Sequence, residues 1–294
     1  MAKPRAAILG LGIMGSGMAG RLLSNNFPLS IYNRRREKAS QFAQAGAFLA
    51  SSPGEAAACA EIVISMVADD AASRAVWLGE NGALSGAATG SVLIESSTLS
   101  VGWIKELASA AAQRGCELLD APVTGSKPHA ESGHLLFLVG GSQRALDAAR
   151  PVLSVLGRDV VHLGANGSGS LMKLINNFLA AVQTASFGEA LALIRAGGLN
   201  PEKAIGILTE GVPGSPMVKR AAARAASGDF TPHFLLRLMA KDISYALEEA
   251  GQRQVTLQTA ATTLAMFKQA IVDGYGEKDF TAIIESLSSR SVTS

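Results

Sequence analysis

An α/β domain followed by an all-α domain is the fold that the 294-residue sequence predicts, on three observations. Short β-branched or apolar runs alternate with helical segments through the first half, the pattern of a parallel sheet covered by helices. From Gly167 onward apolar residues recur at helical spacing and no convincing strand interrupts them. A glycine-rich turn lies directly between the first strand and the first helix.

Strands are expected at Ala6 to Gly10, Leu29 to Tyr32, Ile62 to Met66, Ser91 to Glu95 and Glu117 to Asp120. Two later runs, Leu135 to Val139 and Val160 to Leu163, bracket a helix from about Gln143 to Leu156 and could extend the same sheet. The second half predicts helices over Ser168 to Ala196, Pro201 to Thr209, Phe234 to Gln252, Thr256 to Asp273 and Asp279 to Ser288. Pro201 to Thr209 has physical causes at both ends: Asn200 at the N-cap, Pro201 at the first helical position and Gly211 just past the end. The boundary falls near Gly164 to Gly169, which gives domains of 1–165 and 166–294.

Lysine plus arginine (26) exceed aspartate plus glutamate (24) by two, and no run of five like charges occurs, so neither a nucleic-acid nor a membrane-surface partner is expected. Apolar stretches break before about 18 residues, which speaks against a transmembrane helix. Cys59 and Cys116 cannot form a framework of bridges and are expected to pack as small hydrophobes, in keeping with a cytoplasmic protein. The four histidines are scattered, and neither a metal-binding motif nor a Gly-x-Ser-x-Gly elbow is present. No metal is therefore expected.

Gly10, Leu11, Gly12, Ile13, Met14 and Gly15 form the turn after the first strand, in the context that a dinucleotide fingerprint requires. The glycines permit a tight turn and close approach of backbone to pyrophosphate, and the following helix offers its N-terminal N–H groups to the anion. After the second strand comes Asn33-Arg34-Arg35, where a site selective for NAD would place a carboxylate against the ribose 2′-hydroxyl. Arginine forks suit a 2′-phosphate instead, so NADP(H) is the expected cofactor. The plainer reading is a solvated helix start, which cations at a helix N-terminus would disfavour.

Lys173 and Asn177 stand four apart at the start of the long helix and so share one face. Flanked by Leu171, Met172, Leu174 and Ile175, Lys173 could be partly desolvated and serve in proton transfer, although spacing alone favours an ordinary snorkelling lysine. Thr124, Gly125 and Ser126 follow Asp120 beyond the end of a strand, where ligands of α/β sheets bind, and offer hydroxyl and backbone N–H donors to a carboxylate. A plain Gly/Pro turn is the alternative.

With GLGIMG, DAPVTGS, GSGSLMKLINN and Lys241-Asp242 in this order and approximate spacing, the chain resembles the β-hydroxyacid dehydrogenase family over essentially its whole length. Asn33-Arg34 and GSKPHAESG look most like its glyoxylate and succinic semialdehyde reductase branch, which is similar in preferring NADPH. The resemblance implies a Rossmann N-terminal domain, an all-helical C-terminal domain and a site in the cleft between them. It makes Lys173 the general acid, Asn177 the residue that positions substrate oxygen or lysine, and Thr124 to Ser126 the carboxylate holders. By the same resemblance Met66, Val67 and Thr98 line the cofactor, Lys241 approaches the nicotinamide, and Asp242 supports Lys241 or Lys173. Thr124 stands where the family usually has serine, which adds a methyl group.

The expected activity is NADPH-dependent reduction of small carboxylate-bearing aldehydes to hydroxy acids, by a homodimer or homotetramer. Its competitors are a 3-hydroxyisobutyrate or tartronate-semialdehyde type dehydrogenase, imine reduction as a side activity, and a non-catalytic NADPH-binding module. Retention of Lys173 and Asn177 counts against the module.

Overall fold

The computed structural model describes residues 2–290. Contacts divide the chain into two units, Met1–Lys173 and Leu174–Ser294.

The first unit is built on a nine-stranded sheet. Its strands are β1 (Ala6–Leu9), β2 (Leu29–Tyr32), β3 (Phe48–Leu49), β4 (Ile62–Ser65), β5 (Val92–Glu95), β6 (Glu117–Asp120), β7 (Val123–Thr124), β8 (Leu135–Gly140) and β9 (Gly157–Gly164). The order runs β3-β2-β1-β4-β5-β6-β8-β7, with β9 paired to β8. Strands β1 to β6 are parallel, whereas β8 meets β6 and β7 antiparallel and β9 parallel, so the late strands extend the sheet but make it mixed. The order reverses between β1 and β4, and in doubly wound sheets such a reversal opens a crevice beyond the strand ends.

Alternation within each strand builds a core on both faces. Ala6 and Ile8 of β1 join Met18, Leu22, Leu146 and Leu153 on one side, while Ala7 and Leu9 join Trp77, Trp103 and Leu107 on the other. A run of four apolar residues thus reads as a strand buried on both faces. The two-residue strands β3 and β7 are too short to leave such a run, and the sequence reading passes over them.

The second unit is helical among its described residues, apart from one isolated bridge between Leu235 and Asp279. Its core joins Ala181, Ala185, Phe187 and Leu191 to Met239, Ile243, Phe267, Phe280 and Ile284. Helix Ser168–Ala196 is long and apolar enough to cross a membrane by length and composition alone, as a buried core helix also can be. Much of that apolar content lies in the unit's core. Pro201–Glu210 is capped as predicted: Asn200 accepts from the Lys203 N–H, and Gly211 follows the last turn. Helix Pro216–Ser227, which the sequence reading omits, has Ser215 accepting from the Val218 N–H, Pro216 in its first turn and left-handed Gly228 at its end. The predicted helix to Asp273 gives way after Ala270 to a wider turn, Ile271–Tyr275, broken at Gly274 with φ 90°.

Candidate functional site

Beyond the carboxyl end of β1 the chain turns through Gly10 (φ 101°), where an added Cβ would lie 2.4 Å from the Met66 carbonyl oxygen. At Gly15 the helix packs so closely that a Cβ would stand 2.0 Å from the Gly10 oxygen. Gly12 differs, because a Cβ there would meet nothing within 4 Å. It is the N-cap of helix Ile13–Ser24, no side chain caps that end, and no acid sits in the first turn. Open space in front of an uncapped helix N-terminus fits the pyrophosphate of a dinucleotide.

Asn33 joins this turn to the end of β2. Its Oδ1 accepts from the Leu11 N–H at 2.8 Å, and its Nδ2 donates to the Arg35 carbonyl at 2.7 Å. Leu11, Gly12, Asn33, Arg34 and Arg35 line one cavity, together with Lys38 from the 3-10 turn Arg36–Ala39. Lys38 is a third cation that the sequence reading does not name, although it follows Arg35 by three residues.

Val67 follows β4, and its N–H donates to Ser97 Oγ at 2.7 Å, while the Ser97 N–H donates to Glu95 Oε1 at 2.9 Å. Glu95 therefore ties the loop bearing Met66 and Val67 to the loop bearing Thr98. Burial pushes its carboxyl above the usual range, against hydrogen bonds from Ser73, Ser97 and Trp77. Asp120, at the end of β6, is likewise closed to solvent and pushed up by burial, against backbone donors from Gly167 and Ser170. Sequence reasoning assigns neither acid a role. The available signal is an acid closing an apolar strand run, as in VLIE and ELLD.

Thr124 pairs with Leu136 across β7 and β8. Gly125 then adopts φ 128°, with Leu135 and His129 side chains within 3.1 Å of any added Cβ. The Ser126 N–H donates to His129 Nδ1 at 3.2 Å, and Ser126 Oγ lies 3.1 Å from the same nitrogen. This makes Nδ1 the ring nitrogen without a proton.

Lys173 is half-buried on Ser168–Ala196, and Asn177 lies four residues on. Within the second unit Asn177 Nδ2 donates to Asp242 Oδ2 at 2.6 Å, and Lys241 Nζ approaches Asp242 Oδ1 at 2.9 Å. The fully buried Asp242 thus holds Asn177 and Lys241 together, with Lys241 also 5.0 Å above the Tyr245 ring. A buried amide and a half-buried ammonium offset the cost of an enclosed carboxylate.

Cys116 is buried as expected, but Cys59 is exposed because it caps the end of Pro53–Ala58, whose inward positions include Ala56 and Ala57. Among the described residues no group of three or more His, Cys, Asp or Glu side chains is placed to hold a metal ion.

Two family models match the chain: the NAD binding domain of 6-phosphogluconate dehydrogenase over residues 5–164, and the NAD-binding region of NADP-dependent 3-hydroxyisobutyrate dehydrogenase over residues 167–287. The NAD-dependent L-serine dehydrogenase of Pseudomonas aeruginosa is 33% identical, with 94% of this chain and 95% of that protein covered. Glyoxylate/succinic semialdehyde reductase 1 of Arabidopsis thaliana is 32% identical, with 95% and 96% covered. The solved structure of Mycobacterium tuberculosis 3-hydroxyisobutyrate dehydrogenase with L-serine superposes with a TM-score of 0.88 at 29% identity, covering 97% of this chain and 99% of that one.

Proposed function

The chain belongs to the β-hydroxyacid dehydrogenase family, NAD(P)-dependent oxidoreductases, and from that premise we propose that it reduces small carboxylate-bearing aldehydes with NADPH. Glyoxylate and succinic semialdehyde are the substrates to which this reading gives priority. The observation that carries it is the cavity beside Gly12, lined by Arg34, Arg35 and Lys38 and supported by Asn33 where a carboxylate would select NAD.

The nicotinamide cofactor supplies hydride when bound. Gly10 to Gly15 hold its pyrophosphate, Arg34 and Arg35 its 2′-phosphate, and Met66, Val67 and Thr98 border it. Thr124, Gly125 and Ser126 orient the substrate carboxylate through hydroxyl and backbone donors. Lys173 stabilises the negative charge growing on the carbonyl oxygen and delivers the proton. Asn177 orients the substrate oxygen, and Asp242 keeps both Asn177 and Lys241 in place. Residues 1–165 serve the dinucleotide, and residues 166–294 serve substrate and assembly into a cytoplasmic homodimer or homotetramer.

The test is NADPH oxidation by the purified protein against aldehydes paired with and without a carboxylate. Turnover confined to the carboxylated members supports the assignment. Preferential reduction of the neutral members overturns it.

A further inference from the structure

Helix Ser168–Ala196 carries Lys173 in its second turn, and the acceptor for its first-turn N–H groups is distant in sequence. Gly167 precedes the helix and has no side chain to offer. The cap comes from 47 residues earlier: Asp120 Oδ1 accepts from the Gly167 N–H at 2.8 Å, and Oδ2 accepts from the Ser170 N–H at 2.9 Å. Asn166 Nδ2 approaches Oδ1 at 3.5 Å and donates to the Leu118 carbonyl at 2.8 Å.

The fit around this carboxylate is tight. A Cβ on Gly140 would lie 2.5 Å from Asp120 Oδ1, and one on Gly169 would lie 2.2 Å from the Leu138 oxygen and 2.7 Å from the Asp120 oxygen. The first turn therefore sits directly on the backbone of β6 and β8, with a fully buried anion against its positive end. A charged, two-pronged anchor fixes both the height and the rotation of a helix, where a single neutral cap leaves rotation less defined. Lys173 follows Ser170 by three residues and so lies on the same side of the helix.

We propose that Asp120 is a positioning residue for proton transfer: its carboxylate sets the first turn of Ser168–Ala196 and, through that turn, the place of the Lys173 ammonium. This rests on Lys173 as the proton donor. Misplacing a reacting group by about 1 Å can cost on the order of 10²-fold in rate, so the effect belongs in kcat and not in the affinity for NADPH.

The experiment is a double-mutant cycle of Asp120→Asn and Lys173→Ala, with kcat and both KM values measured on the folded tetrad of proteins. Asparagine keeps the shape but turns one acceptor into a donor facing a backbone N–H. Asp120→Asn should lower kcat about 10- to 100-fold with the KM for NADPH little changed, and should cost nothing further once Lys173 is alanine. An equal loss in both backgrounds overturns the proposal, because Asp120 would then act independently of the lysine. Parental turnover by Lys173→Ala overturns the lysine assignment itself and is read from a different protein. If Asp120→Asn does not fold, Asp120→Ser, which leaves one neutral acceptor in place of the two-pronged carboxylate, takes its place in the cycle. The same loss confined to the Lys173 background supports the proposal, and unchanged kcat overturns it.

Discussion

Trp77 donates its indole N–H to Oε2 of Glu95 at 2.8 Å, and both side chains are closed to solvent. Ser73 donates its hydroxyl to the same oxygen at 2.6 Å and accepts from the Trp103 indole at 2.9 Å. The chain contains two tryptophans, so all of its indole emission arises from one buried network. Glu95→Gln places a donor among donors and should cost about 1–3 kcal/mol of stability. Thermal unfolding combined with a shift in tryptophan emission measures this; a substitution silent in both would mean that the network adds nothing to stability.

The pH dependence of that loss has a definite sign. Glu95 titrates above its ordinary 4.5 in the folded state because of burial, so its contribution to stability is complete below the unfolded value and is lost as pH rises through the folded one. Glutamine does not titrate. The gap in unfolding temperature between parent and Glu95→Gln should therefore narrow as pH rises from 4.5, and paired melting curves at a series of pH values will read it.

Cofactor preference should be for NADPH over NADH. Arg34→Ala combined with Arg35→Ala should weaken NADPH by about tenfold or more, the scale of one lost charge-assisted hydrogen bond, and leave NADH nearly unchanged. Titration of both cofactors against both proteins decides it. Equal weakening of the two would place the arginines outside the 2′-phosphate site.

Substrates should require a carboxylate, since donors at residues 124–126 otherwise remain unpaired. Succinic semialdehyde should exceed butanal in kcat/KM by about tenfold or more. Comparable values for the two would remove carboxylate recognition from the Thr124–Ser126 turn.

Lys173→Ala should lower turnover by about 10²- to 10⁴-fold, the range for lost general acid catalysis, with NADPH binding retained. Single-substrate kinetics and a binding titration on the folded variant provide the check. Near-parental turnover would leave Lys173 as a snorkelling side chain.

The sequence exposes what local chemistry specifies. Gly10 and Gly15 mark their turn because only glycine permits the close approaches found there, Gly12 marks it by leaving the helix N-terminus open, and Asn200, Pro201 and Gly211 mark a helix because each suits its own terminus. Ser215, Pro216 and Gly228 carry the same signals, yet the adjoining glycines and prolines read as loop and hide the helix. Long-range partners are less legible. Neither the Asp120 bonds to residues 47 and 50 positions later nor the Asn177 bond to Asp242 65 positions later leaves a periodic trace. Lys38 joins the arginines through a 3-10 turn, whose short run does not show in apolar spacing.

Asn33 couples two properties of the chain through one side chain. An acid at position 33 would offer a carboxylate to a ribose 2′-hydroxyl. Aspartate could still accept from the Leu11 N–H, but it has no donor for the Arg35 carbonyl, and the loop would lose one of its two stitches. Any acid at 33 therefore changes the hold on the chain at Arg35 together with the charge offered to a ribose, so the two properties cannot be altered one at a time through this residue.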